Sequence, residues 1–295
     1  MRDIGEALRA QGMLVRSIML PGHSTVPGAL LNTRYAEWLQ AVNYGVATLK
    51  QDVEKIFLVG FSTGGIIALH HAALDASIAG LILLAPAFKI NSPFTFVSEW
   101  MNAWNGPDRS KWFYLTKEID YVKYQSVCFN AIHQVYQLGL LTRKMKTQCP
   151  QFMILTQQDK IICSRMAIDY FKQTTHPLNR AFIYSNKSLS FSDERIHVRT
   201  SLYPEKNIFS FCHISLPVAP DNSHYGEKGD YIDASHSEKN VKYGALDKMD
   251  IGFQNLLRQL HVSRFKYQRL TYNPDFAFMQ NEIEDFIGKV GARAL

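Results

Sequence analysis

The run Gly60-Phe61-Ser62-Thr63-Gly64 fits the pattern Gly-x-Ser-x-Gly, and it lies where an apolar, β-branched strand pattern (residues 55–61) meets an apolar helix pattern (residues 64–74). That setting gives the five residues chemical meaning. A sharp strand-to-helix turn forces its serine into a strained backbone conformation and projects the hydroxyl from the carboxyl edge of a sheet. Gly60 and Gly64 would let strand and helix approach closely. The backbone N–H of Thr63, at the helix start, would point at a developing oxyanion. A glycine-rich turn with an incidental serine is the plain alternative, since the pattern alone is common. A phosphate loop does not fit, because no Lys-Ser/Thr pair follows Gly65.

A serine hydroxyl is a weak nucleophile near neutral pH and needs a histidine base that is itself oriented by an acid. The stretch "CPQFMILTQQDKIICS" offers the acid: Asp159 directly follows a buried strand pattern at residues 152–156, which would bring its carboxylate to the same sheet edge as Ser62. Capping the next helix is the alternative role for Asp159. Asp169, one helix later, would face away. Six histidines follow Asp159, namely His176, His197, His213, His224, His236 and His261. The base should follow a strand that pairs beyond the Asp159 strand. His213, in "NIFSFCHISLPVAPDNSHYGE", satisfies this and is the expected base; His224, in the turn-rich loop after it, is second. His197 lacks a strong strand pattern before it, and His70 and His71 read as packing or surface residues.

The elements that must position these groups follow from periodicity. Apolar strand patterns at 13–20, 55–61, 80–85 and 152–156 alternate with helical patterns at 35–51, 64–74 and 163–172, which predicts a mostly parallel sheet covered on both faces. Residues 88–148 break the alternation. They hold Trp100, Trp104 and Trp112 and helical stretches near 96–104 and 129–146, so they read as a helical cap inserted into a core formed by 1–87 and 149–295. Residues 185–250 are polar and turn-rich except for a strand-like run at 207–212, and 276–287 reads as a helix.

Composition narrows the function classes. The chain has 295 residues, of which 46% are hydrophobic and 20% charged, as in an ordinary globular protein. The net charge of +6 is scattered. Its densest cluster, Arg143-Lys144-Lys146, reads as the solvated end of a helix, so no nucleic-acid partner is expected. No apolar run reaches the length of a membrane span, and the first residues form an amphipathic helix pattern without a signal-peptide core, so stable membrane insertion is not expected. Cys128, Cys149, Cys163 and Cys212 lack C-x-x-C spacing and read as reduced thiols of a cytoplasmic protein. No metal or cofactor is expected, since no ligand set is evident and serine hydrolysis needs none. Oligomeric state is open.

These residues carry a resemblance. "LPGHS" (20–24) after the 13–20 pattern, "GFSTGG", "LTQQDKII" and "FCHISLP", in the chain order 62, 159, 213, resemble the α/β-hydrolase superfamily, in particular its bacterial serine esterases of carboxylesterase and monoacylglycerol-lipase type. The resemblance covers most of residues 1 to about 225, with Cys212 where the family has a serine. It implies an α/β fold with a cap, Ser62 as nucleophile, Asp159 as acid, His213 as base, Thr63 N–H as an oxyanion donor, and a small-molecule acyl ester as substrate. In the family a further strand and a His-Gly loop precede the first helix. The strand lies between those equivalent to 13–20 and 55–61, and the loop donates the second oxyanion N–H. This sequence starts at that helix. The resulting expectation is a fragment or displaced start, with an incomplete sheet, marginal stability and hydrolysis slowed roughly a hundred- to a thousandfold. Ester hydrolysis through an acyl-enzyme is therefore set beside two other readings, an impaired or non-catalytic remnant of the fold, and acyl transfer to an alcohol.

Overall fold

Strands of five to seven residues, the first three of them almost wholly apolar, alternate with helices through most of the chain, and each crossover returns the next strand of the main sheet parallel to the last. The computed structural model describes the chain except residues 92–97, 104–107, 232–239, 247 and 294–295. In order, the elements are α1 (Arg2–Ala10), α2 (Tyr35–Leu49), β1 (Ile56–Phe61), α3 (Thr63–Leu74), β2 (Ile78–Leu84), α4 (Ser98–Ala103), β3 (Trp112–Tyr114), β4 (Val127–Cys128) and α5 (Phe129–Thr142). After these come β5 (Gln151–Thr156), α6 (Ser164–Lys172), β6 (Arg180–Ser185), β7 (Ile196–Thr200), β8 (Val241–Gly244), α7 (Lys248–Gln259), β9 (Lys266–Arg269) and α8 (Phe276–Arg293).

The main sheet runs β1-β2-β5-β6-β7, every pair parallel. Leu81, Ile82, Leu83 and Leu84 are all fully buried, as are Phe152, Met153, Ile154 and Leu155. Successive strand residues point to opposite faces, so unbroken burial means that helices cover both faces of β2 and β5. The sheet is parallel and covered on both faces, as the alternation predicts. Two small pairs, β3-β4 antiparallel and β8-β9 parallel, lie outside the main sheet.

Three segments differ from the sequence expectation. Residues 13–20 form no strand. Met13, Val15, Ile18 and Leu20 still pack on the core while Leu14 and Met19 face solvent, but the alternation slips at Arg16 and Ser17, which are both exposed, and a strand also needs a hydrogen-bonding neighbour. Among the described residues no strand lies beside this segment, and none pairs with β1 on the side away from β2. Residues 207–212 likewise make only isolated bridges, Tyr203 with Ile208 and Ile208 with Tyr243. Conversely, β6 and β7 were hidden by their charges. Arg180 is neutralised by Glu282 at 2.7 Å and Arg199 by Asp275 at 2.6 Å, which lets these polar-looking segments join the sheet.

Residues 88–148 are not helical throughout, since β3 and β4 form a hairpin between α4 and α5. Trp104 lies outside the described residues. The hairpin is tied to the rest of the chain at two places. The Tyr124 hydroxyl donates to Gly22 O and accepts from Thr25 N–H at 2.7 Å. Asp120, buried, accepts from Lys123 Nζ (2.8 Å) and from the Tyr225 hydroxyl (2.6 Å), and faces His224, whose other nitrogen meets Asp230. Burial alone would push the Asp120 carboxyl up, but the hydrogen bonds from Lys123, Tyr225 and the Val122 N–H outweigh it and hold it down at about 2. A depressed carboxylate stabilises the fold above its unfolded value near 3.8 and loses that contribution as pH falls towards about 2. Asp120→Asn should therefore lower the melting temperature at neutral pH, and the gap between variant and wild type should close between pH 4 and pH 2. Thermal unfolding followed across that range checks it; a gap independent of pH would mean that the ionised carboxylate is not what holds the hairpin.

Candidate active site

Ser62 directly follows β1 and occupies the N-cap position of α3 with φ of +55° and ψ of −117°, a conformation that a residue with a side chain adopts only under constraint. Its backbone is held on both sides. Ser62 N–H donates to Leu84 O at 2.9 Å, and Ser62 O accepts from Gly65 N–H at 3.0 Å and Ala87 N–H at 3.1 Å. Ala85, between those partners, also has a positive φ, +42°. The ends of β1 and β2 therefore turn together. The close approach of strand and helix depends on Gly60 and Gly65. A Cβ on Gly60 would lie 2.4 Å from Gly64 O and 2.7 Å from Gly65 Cα, and one on Gly65 would lie 3.1 Å from Pro86 Cα. Gly64, expected from the pattern to share this role, has open space where its Cβ would be.

His213 opens a short 3-10 turn after the 207–212 segment. Its Nε2 lies 2.9 Å from Ser62 Oγ, and its Nδ1 lies 2.6 Å from Asp159 Oδ2. The structure thus brings together Ser62, Asp159 and His213, from three segments far apart in the chain. Asp159 follows β5 in a tight loop, where its other oxygen accepts from Ile161 N–H (2.7 Å) and Ile162 N–H (2.9 Å). Both carboxylate oxygens are engaged, which is what a fully buried anion requires. With Nδ1–H directed to Asp159, Nε2 is free to accept the Ser62 proton. The Phe61 ring, 4.7 Å from the His213 ring, packs against it.

Sequence reasoning missed Asn91. Its Nδ2 donates to Asp159 O (3.1 Å) and Ile162 O (2.7 Å), and its N–H donates to Ile161 O (2.8 Å), so the chain leaving β2 braces the acid loop. No motif marks this asparagine; only the fold brings residues 91 and 159 together. Cys212 beside His213 is fully buried with its Sγ donating to Leu270 O, and burial pushes its thiol up to about 11, so it anchors the turn as a neutral thiol.

The remaining candidates lie elsewhere. His224 belongs to the Asp120–Asp230 cluster. His71 bonds Asn43 and Asp75 within the helical layer, His197 meets Phe182 edge to face at the sheet edge, and His261 is exposed. Asp169 is exposed and 4.0 Å from Arg165. His236 lies outside the described residues.

Residues 1–182 match the sequence profile of the Hydrolase_4 family, described as serine aminopeptidase, S33. The chain belongs to this family. Its α/β-hydrolase architecture is the one described above. The chain is also 32% identical over 90 residues to a thermostable monoacylglycerol lipase of Bacillus sp. (strain H-257), a match covering 30% of this chain and 36% of the lipase. The chain thus spans little more than a third of the curated relative it matches. Among solved structures, that of the metagenome-derived lipolytic enzymes LipS and LipT superposes with a TM-score of 0.54 at 18% identity, covering 62% of this chain and 76% of that one. At such identity the likeness is one of fold.

The glycine geometry can be tested. Gly60→Ala should cost about 1–3 kcal/mol of stability, since backbone atoms must move. Gly64→Ala should leave stability within about 0.5 kcal/mol of wild type or raise it, because alanine favours a helical turn where space allows. Urea unfolding of both variants checks this; equal losses would show that the close approach also involves position 64.

Proposed function

We propose that the chain is a serine hydrolase of carboxylic (acyl) esters, with Ser62 as nucleophile, His213 as general base, Asp159 as the acid that orients it and Thr63 N–H as oxyanion donor. The observation that carries this reading is His213 bridging Ser62 Oγ and Asp159 Oδ2 at a positive-φ turn between strand and helix. In the reaction, Ser62 Oγ attacks the acyl carbon as its proton passes to His213 Nε2. The tetrahedral oxyanion is met by Thr63 N–H, and the alkoxide leaves with the proton from His213. Water, deprotonated by His213, then releases the acid from the acyl-enzyme. A serine nucleophile speaks against the aspartate-dependent reactions that the same fold supports.

An acylglycerol substrate draws support from the matched lipase, whose name is that of a monoacylglycerol lipase. An alcohol in place of water would turn the same steps into acyl transfer. Residues 88–148 serve in this reading as a cap on a core made of 1–87 and 149–295. Trp100 does not line an acyl pocket, since it is 80% exposed. A cytoplasmic location fits four cysteines that are all free thiols. Among the described residues no helix is long and apolar enough to cross a membrane.

A second reading, a catalytically impaired α/β-hydrolase fold, is favoured by one observation: β1, which leads into Ser62, has no partner on its outer edge among the described residues. The elbow supplies one oxyanion donor, and lacking a second typically costs roughly a hundred- to a thousandfold in rate. A fluorophosphonate probe together with a p-nitrophenyl ester of short acyl length separates the readings. On the hydrolase reading the probe labels Ser62, identified by peptide mass, and ester turnover vanishes in Ser62→Ala. Asp159→Asn should lower kcat by about four orders of magnitude, through the wrong imidazole tautomer. Labelling with barely measurable turnover would favour the impaired reading, and no labelling of a folded chain would overturn the assignment of Ser62.

A further inference from the structure

A cavity of about 460 Å³ opens at the carboxyl ends of β5 and β6, the side on which open parallel sheets take ligands. One wall is the loop of residues 157–160. The opposite wall is the turn after β8 together with Asp250 and Gln254, one turn apart on α7, and Asn186 and Phe209 lie between them. The ester reaction makes no use of this space, since the Asp159 carboxylate is fully buried and turned onto His213 and its own loop. The walls are fixed in place. Phe209 N–H donates to Tyr243 O, and the Phe209 ring lies so close to β8 that a Cβ on Gly244 would meet it at 2.5 Å. Ala245 N–H donates to Ser210 Oγ at 2.9 Å.

Amide groups without partners set this cavity apart. Asn186 Nδ2 donates to Phe209 O at 2.9 Å. A carbonyl only accepts, so the amide cannot be turned over, and Asn186 Oδ1 is left as a buried acceptor with no partner. Its neighbour Gln158 is held through Oε1, by Asn186 N–H at 3.3 Å and Ser201 Oγ at 3.5 Å, which leaves Nε2 as a donor. Two adjoining side chains of the lining therefore hold one acceptor and one donor in reserve. Among the described residues the amides of Gln157 and Gln254, also on the lining, have no hydrogen-bond partner either.

Charge and polarity select the ligand. Lys160 and Asp250, the ionised pair on the lining, meet each other at 3.3 Å, and Arg269, behind it, gives its Nε–H to Leu246 O. An ion would find no uncompensated charge. An apolar ligand would strand the amides, because apart from Phe209, Ala245 and Leu246 the lining is polar. Carboxamides, each with donor and acceptor, match hydroxyl groups, which donate and accept at one atom, and the Phe209 ring offers an apolar surface for the carbon skeleton.

We propose that this cavity binds an uncharged polyhydroxylated molecule of monosaccharide or disaccharide size. The site is independent of the ester reading, because its test measures binding and Ser62→Ala should bind as wild type does.

The test is calorimetric titration of the purified full chain with D-glucose, D-galactose, D-mannose, D-xylose, myo-inositol and maltose. At least one should bind with a dissociation constant of roughly 1–10 mM, the range reached by about a dozen non-hydrogen atoms of ordinary ligand efficiency. At saturation, hydrogen exchange should slow in residues 157–160. Gln254→Leu should weaken binding about tenfold and leave thermal unfolding unchanged, and Asn186→Leu should weaken it further. Should Asn186→Leu fail to fold, Gln158→Met takes its place, with the same loss expected. The proposal is overturned if no member of the panel binds, or if folded Gln254→Leu and Gln158→Met both bind like wild type. Tighter binding of glucose 6-phosphate or adenine than of every sugar would overturn the uncharged, hydroxylated class.

Discussion

The site depends on one backbone conformation, the positive φ of Ser62. Such a conformation costs on the order of 1–3 kcal/mol at a residue with a side chain and persists only where the surroundings over-determine it. Here the surroundings are the carbonyl of Leu84, the N–H groups of Gly65 and Ala87, and a strand and helix so close that position 60 has no room for a Cβ. The strain has a consequence for chemistry. It turns Oγ away from β1 and α3 and towards the sheet edge, where a ring carried by a distant segment meets it at 2.9 Å. An unstrained serine inside the strand would point into one face of the sheet and meet packed hydrocarbon.

Everything around the elbow serves the alignment of three side chains across a wide span of sequence. Asp159 is a buried anion, and an isolated one would lose far more in desolvation than it could gain from a single hydrogen bond. It is tolerated because its loop folds two N–H groups onto one oxygen and His213 onto the other. Asn91 clamps that loop from outside by taking two of its carbonyls. His213 is held in turn by the packed ring of Phe61 and by the neighbouring Cys212, whose thiol stays protonated in its buried niche. Membership of the S33 hydrolase family and the shared fold agree with this architecture; the chemistry proposed for it rests on the geometry of the three side chains.

The β3–β4 hairpin obeys a different logic. In the core, apolar groups are inside and charges are paired at the rim, as with Arg199 and Asp275. In the hairpin, a buried carboxylate and a buried serine organise the interior and the hydrocarbon is left outside. A loop of this kind gains little from the hydrophobic effect in water and is held by hydrogen bonds that burial makes stronger. Its ties to Gly22 on one side and to Tyr225 on the other link it both to the segment before α2 and to the loop that follows His213.

By itself the sequence determined the features written in local pattern. The strand–serine–helix context of Ser62, the placement of Asp159 directly after a buried strand, and the parallel α/β architecture were all legible, because strand and helix periodicities and turn residues act over a few positions. His213 was legible only as the better of two histidines, since choosing between it and His224 requires knowing which loop reaches Ser62. Tertiary structure alone decided what depends on neighbours distant in the chain. It made Gly65, and not Gly64, the partner of Gly60 in the close approach. It left residues 13–20 outside any strand, because a ladder needs a second strand whatever the pattern of the first. It admitted β6 and β7 to the sheet because Glu282 and Asp275, from the end of the chain, cancel their arginines. And it turned the hairpin inside out, since where a side chain points in an irregular loop follows from hydrogen-bond partners that no periodicity encodes.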